Sequence, residues 1–165
     1  MSKLFKLKEW LTVPDAAKHL SVLFGEEVNE ADVLRLALDG HLILSINFLN
    51  FTYARLGYIV SSYQEVKNKK STNGIRGYFP FLDSNKNNFH SEKLFFIYSD
   101  RPGSIKGLWD LPMIGGEKRN VEYEYQTLIG GPEVKNYFFD ICLIKDLQGQ
   151  IYSLLACDGD NDLVK

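Results

Sequence analysis

The sequence predicts an α+β fold: an N-terminal helical pair running into a strand, followed by an antiparallel β-sheet or small barrel. Three observations carry this. Residues 11–40 hold two capped segments of helical period. Most of the chain after residue 41 reads as short apolar or alternating stretches between turn formers, and 13% of all residues are aromatic, a composition that favours strands. Helices come first and strands later, unlike the alternation of a parallel βαβ fold.

Thr12 is a favourable N-cap for the first helix, with Asp15 three residues later in a capping-box pattern near the positive helix end. Pro14 sits in the first turn, where its missing N–H costs nothing. Val13, Ala16, Ala17, Leu20, Leu23 and Phe24 follow the spacing of one apolar face, and Gly25 is suited to end the helix. Asn29 caps a second helix with Asp32 at its third position. Val33, Leu34, Ala37 and Leu38 form its stripe, and Gly40 stops it. From His41 the period becomes two, with Leu42, Leu44, Ile46 and Phe48 on one face.

Phe51 to Tyr63 reads as a strand pair or a bend, interrupted by Arg55 and Gly57. Residues 64–92 form a polar loop or insertion, rich in Asn, Lys, Ser and Gly around a small apolar knot at Tyr78–Phe81. Leu94–Tyr98 is a compact strand. The segment from Asp100 to Gly116 is dense in turn formers and reads as a functional loop. Val121–Ile129 alternates as VEYEYQTLI and reads as a half-exposed strand, closed by a turn at Gly130–Gly131–Pro132. Tyr137–Ile144 and Ile151–Cys157 form a hairpin around Asp146–Gly149. The domains expected are a helix-turn-helix-like segment over 1–48 and a β-rich part over 49–165, packed as one unit.

LTVPDAAKHL followed by NEADVLRLALDGHL resembles the excisionase and MerR type of helix-turn-helix, over residues 11–44, about a fifth of the chain. The resemblance implies DNA contact through the second helix. Two features depart from that pattern. Ser21–Val28 is longer than the usual tight turn, and the second helix carries Glu30, Asp32 and Asp39 against the single Arg35. DNA affinity rests on Lys and Arg neutralising phosphates, so this helix is better suited to packing or to a protein partner. With its WLTVPDAAKHL opening and a later GLWDLPMIGGE block, the chain is also similar to uncharacterised bacterial proteins associated with mobile elements.

The net charge of −2 supplies no general attraction to nucleic acid, but its distribution is uneven. Residues 1–60 carry −1, residues 61–120 carry +4 and residues 121–165 carry −5. Any phosphate or other anion would fall to Arg35, Lys67, Lys69, Lys70 and Arg76. A possible ligand pocket in the β-rich part would draw on Arg101, Trp109, Tyr123 and Tyr125; alternatively Trp109, Leu111, Pro112 and Met113 plug the end of the sheet core.

Catalysis would need a nucleophile, a base and an orienting group, for which Ser104 or Cys157 with His90 and Asp100 is a chance-level set. Cys142 and Cys157 form no metal pattern and read as buried thiols, and the glycines match no phosphate-binding fingerprint. The acidic tail Asp158, Asp160 and Asp162 lacks the rest of a calcium loop. No metal and no cofactor are expected. The opening MSKLFKLKEW is too short and too interrupted by Lys for a signal peptide, and no apolar run reaches a membrane span, so a cytoplasmic protein without membrane contact is expected. The function expected is a non-enzymatic regulatory or adaptor module, acting through a protein partner, self-association or DNA. The alternative is a small-molecule-binding or hydrolytic domain.

Overall fold

The computed structural model describes residues 8–60, 78–80, 94–97, 101–134 and 141–155. The fold is α+β, and the chain divides into two compact units. One holds Met1–Leu44 and Lys118–Asn136, the other Ser45–Glu117 and Tyr137–Lys165.

In the first unit, α1 (Val13–Phe24) packs on α2 (Glu30–Leu38). The expected caps form. The Thr12 side chain accepts from the Asp15 N–H at 3.2 Å, while the Asp15 carboxylate accepts from Lys8 Nζ at 2.7 Å, so only half of a capping box closes. That lysine holds the Asp15 carboxyl below its usual pKa. At α2 the box is complete: Asn29 Oδ1 accepts from the Asp32 N–H and Asp32 Oδ2 accepts from the Asn29 N–H. Between the helices the Ser21 hydroxyl accepts from the Val28 N–H at 2.9 Å and lies within reach of the Ala17 and Val28 carbonyls, tying the loop back onto α1. Gly25 and Gly40 take the left-handed conformation just past the two helices.

Ala17, Val33, Leu34 and Ala37 are buried as their spacing predicts, Ala31 joins them, and Leu38 is half-buried. Leu23 and Phe24, expected on the same stripe, are exposed together with Val22. The residues that follow them, Gly25, Glu26 and Glu27, supply no apolar cover.

α3 (Gly116–Ile129) corrects the reading of Val121–Ile129 as a strand. The alternation of VEYEY is real, but Glu, Lys, Arg, Gln and Leu dominate the segment, and these residues lose little rotamer freedom in a helix. At helical spacing Glu117 and Val121 are buried and Tyr125 is half-buried. The turn at Gly130–Gly131 exists as the helix stop: Gly130 is left-handed and the Gly131 N–H donates to the Gln126 carbonyl at 2.9 Å.

The second unit is a six-stranded antiparallel sheet in the order β2-β3-β1-β4-β5-β6, with β6 also pairing β1. The strands are β1 (Ser45–Val60), β2 (Tyr78–Pro80), β3 (Leu94–Ile97), β4 (Gly103–Asp110), β5 (Leu143–Lys145) and β6 (Ile151–Leu154). The ring β1-β4-β5-β6 therefore closes on itself as a small barrel. β1 makes this possible by its length. One edge pairs β4 and then β3, while the other pairs β6, so Gly57 lies between Ile97 and Ile151.

Two expectations change here. The strand begins at Ser45 rather than His41 and continues through Arg55 and Gly57 to Val60; residues 61–63 lie outside the described residues. Within the functional loop over 100–116, residues 103–110 form β4, because the long β1 pairs with it on both sides of a register shift at Lys106, despite its glycines. The hairpin of β5 and β6 turns as expected, with Asp146 Oδ1 accepting from the N–H groups of Gln148 and Gln150.

β5 is buried on both faces. Ile144 joins Ala54 and Ile105 in one cluster, sealed by Phe48, Trp109, Leu111, Tyr152 and Leu154. Leu143 faces the other way, against Ile59, Ile114, Ile141 and Ile151. Glu117 locks the start of α3 to this strand. Its Oε1 accepts from the N–H groups of Ile114 and Gly115, both at 2.9 Å, and its Oε2 accepts from the Leu143 N–H at 2.8 Å. The side chain is 4% exposed, so these bonds stand in for lost hydration.

Met113, left-handed at φ 58°, precedes the two donors. A Cβ on Gly115 would lie 2.6 Å from the Ile141 carbonyl and 2.8 Å from Glu117 Oε2. Glu117→Gln replaces one acceptor oxygen by a donor facing an N–H, and is expected to destabilise the fold by about 1–3 kcal/mol. Gly115→Ala should lower the same urea midpoint, and unchanged midpoints in both variants would show that the lock is not needed.

Candidate interaction surfaces

α2 carries the face that a helix-turn-helix would present to DNA. Burial of Ala31, Val33, Leu34 and Ala37 leaves Glu30, Asp32, Arg35 and Asp39 outward. Asp32 is engaged in the cap. Arg35 Nε donates to Asp39 Oδ2 at 2.9 Å, and its guanidinium lies 5.9 Å from the centre of the Tyr125 ring. The one cation of the helix is thus paired one turn away on its own face, and Glu30 forms no ion pair among the described residues. Just before α2, exposed Glu26 and Glu27 follow the exposed Val22, Leu23 and Phe24. Two of those apolar residues, Leu23 and Phe24, belong to the core by their spacing. The GEE that follows them, a break with two charges, was the available sign that they stand at the surface.

Of the other cations proposed for anion contact, Lys67, Lys69, Lys70 and Arg76 lie outside the described residues, as do His90, Asp100 and Cys157. Ser104 lies on β4 opposite Tyr53.

The four residues proposed for a pocket do not share one β structure. Trp109 belongs to the barrel cluster. Its ring meets Tyr152 edge-on at 5.2 Å, and its Nε1 donates to the Lys106 carbonyl at 3.2 Å. That is the core-plug arrangement, in which the indole fills space and satisfies its polar atom locally. The Tyr152 hydroxyl of this pair donates to Gln150 Oε1 at 3.1 Å, and burial, followed by the Asp146 charge, raises its pKa. Arg101 is exposed ahead of β4. Tyr123 and Tyr125 lie on α3, in the other unit.

Tyr123 helps line a cleft of about 310 Å³ at the end of α3, with Gln126, Thr127 and residues of the following turn. Gln126 Oε1 is buried without a partner and sits against the Gly131 Cα, where a Cβ would collide with it. Among the described residues no group of His, Cys, Asp and Glu could hold a metal ion.

No family model, no curated protein and no solved structure matches this chain.

Trp109→Ala should lower stability by about 3 kcal/mol in urea unfolding, as for truncation of a packed aromatic residue. A loss well under 1 kcal/mol would mean that the indole is not a core plug.

Proposed function

We propose that the chain is a non-enzymatic regulatory or adaptor module whose helical unit engages a protein partner. The observation that carries this is the charge of the α2 face. Its arginine is paired with Asp39, and Glu30 remains beside the exposed Glu26 and Glu27. Such a surface repels a phosphate backbone and suits a partner with basic and apolar groups. On this reading the resemblance to excisionase and MerR helix-turn-helices reflects a docking unit, not a groove reader. The packing of Phe48, Ile105, Trp109, Ile144 and Tyr152 inside the small barrel supports the same reading over a ligand-binding barrel. A cytoplasmic site of action and a link to bacterial mobile elements belong to this proposal. No helix among the described residues is long and apolar enough to cross a membrane.

Fluorescence anisotropy with mixed-sequence duplex DNA tests the nucleic-acid branch. No binding is expected at low salt. Binding that weakens steeply with salt, and is lost in Arg35→Glu and in the Lys67/Lys69/Lys70 triple alanine variant, would make the chain a DNA-binding regulator instead.

A further inference from the structure

We propose that the outward face of the β1–β4 ribbon closes on a second copy of this chain, forming a twofold-symmetric dimer. This surface lies in the β unit and is independent of the partner proposed for α2. The register sets which side chains face outward. Phe48, Thr52 and Ala54 stand opposite Gly107, Ile105 and Gly103, so Ile105 and its alternates point into the barrel. The intervening positions point away. On β4 these are Ser104, Lys106, Leu108 and Asp110, and on β1 they are Ser45, Asn47, Leu49, Phe51 and Tyr53, with Asn47 opposite Leu108 and Ser104 opposite Tyr53.

Leu49, Phe51, Tyr53 and Leu108 are exposed, Leu49 to 76% and Phe51 to 71%. A soluble surface rarely groups large apolar residues this way without a partner to cover them.

The charges identify which partner. Lys106 and Asp110 lie two residues to either side of Leu108, opposite in sign and about 13 Å apart along the strand. A twofold axis through Leu108 sets Lys106 of one copy against Asp110 of the other, and the reverse. That is the self-complementarity an isologous interface requires, where residue i meets j and j meets i. Lys106 Nζ already lies 5.4 Å from the centre of the Phe51 ring, so the cation is held at the apolar patch rather than extended away from it. Asp110 is anchored by the Ser45 hydroxyl at 2.7 Å.

Sedimentation equilibrium of the full chain tests this. The wild type is expected to be a dimer, with dissociation resolved below about 100 µM. Lys106→Asp places like charges together and should weaken the dimer roughly tenfold or more. Lys106→Asp combined with Asp110→Lys restores opposite signs across the axis and should tighten the dimer relative to Lys106→Asp, short of the wild type because Lys145 stands opposite residue 110 on β5. Phe51→Lys alters an exposed residue and should give a chain that is folded by circular dichroism and monomeric by sedimentation, whatever becomes of the double variant. A wild type that remains monomeric overturns the proposal. So does a dimer indifferent to Phe51→Lys, or a folded double variant no tighter than Lys106→Asp.

Discussion

The Glu117 carboxylate is the interaction on which the β unit most depends. It sits where three backbone N–H groups converge, two from the approach to α3 and one from β5. β5 is only three residues long; it pairs with β6 along its length but joins the β4 ladder through one residue pair, Asp110 with Lys145. Ladder bonds alone would hold such a strand weakly. Its place in the barrel comes instead from two buried faces, Leu143 on one and Ile144 on the other, and from the carboxylate that secures its first N–H. The left-handed Met113 and the absence of a side chain at Gly115 are the local costs of bringing the donors to one oxygen. Charge-assisted hydrogen bonds in a buried setting are strong enough to offset them.

Much of this architecture was legible in the chain. The caps at Thr12 and Asn29 and the stops at Gly25 and Gly40 are local signals and they form, although the box read at Thr12 closes only on one side. The turn at Asp146–Gly149 forms as well, where an aspartate side chain can satisfy nearby N–H groups without tertiary help. What failed had a tertiary cause or two competing periods. VEYEYQTLI fits an alternating strand, and it also fits a helix once Glu117, four residues before Val121, is counted. The glycines of 103–110 suggest a loop in isolation. Beside a long strand that pairs with seven of these eight residues, they are tolerated in a ladder.

The candidate surfaces were less legible for the same reason. Trp109 and Tyr152 meet across sequence-distant strands, so whether the indole faced a ligand or a core lay beyond any local pattern. The acidity of α2 was visible from composition alone. The pairing of Arg35 with Asp39 follows from their i,i+4 spacing, a signal that sequence reading had available.

The register of β1 against β4 carries a further consequence. Between Phe48 and Thr52 the ribbon advances four residues on β1 but two on β4. Both numbers are even, so the bulge leaves the inward and outward sets of β1 unchanged on its far side. A deletion or insertion of one residue at 49–51 would reverse that parity for the rest of the strand. Ala54, 1% exposed against Ile105 and Ile144, would exchange its facing with Arg55, and a guanidinium would be driven into an apolar interior. Length changes in this bulge are therefore tolerable only in pairs, and homologous chains should differ here by zero or two residues.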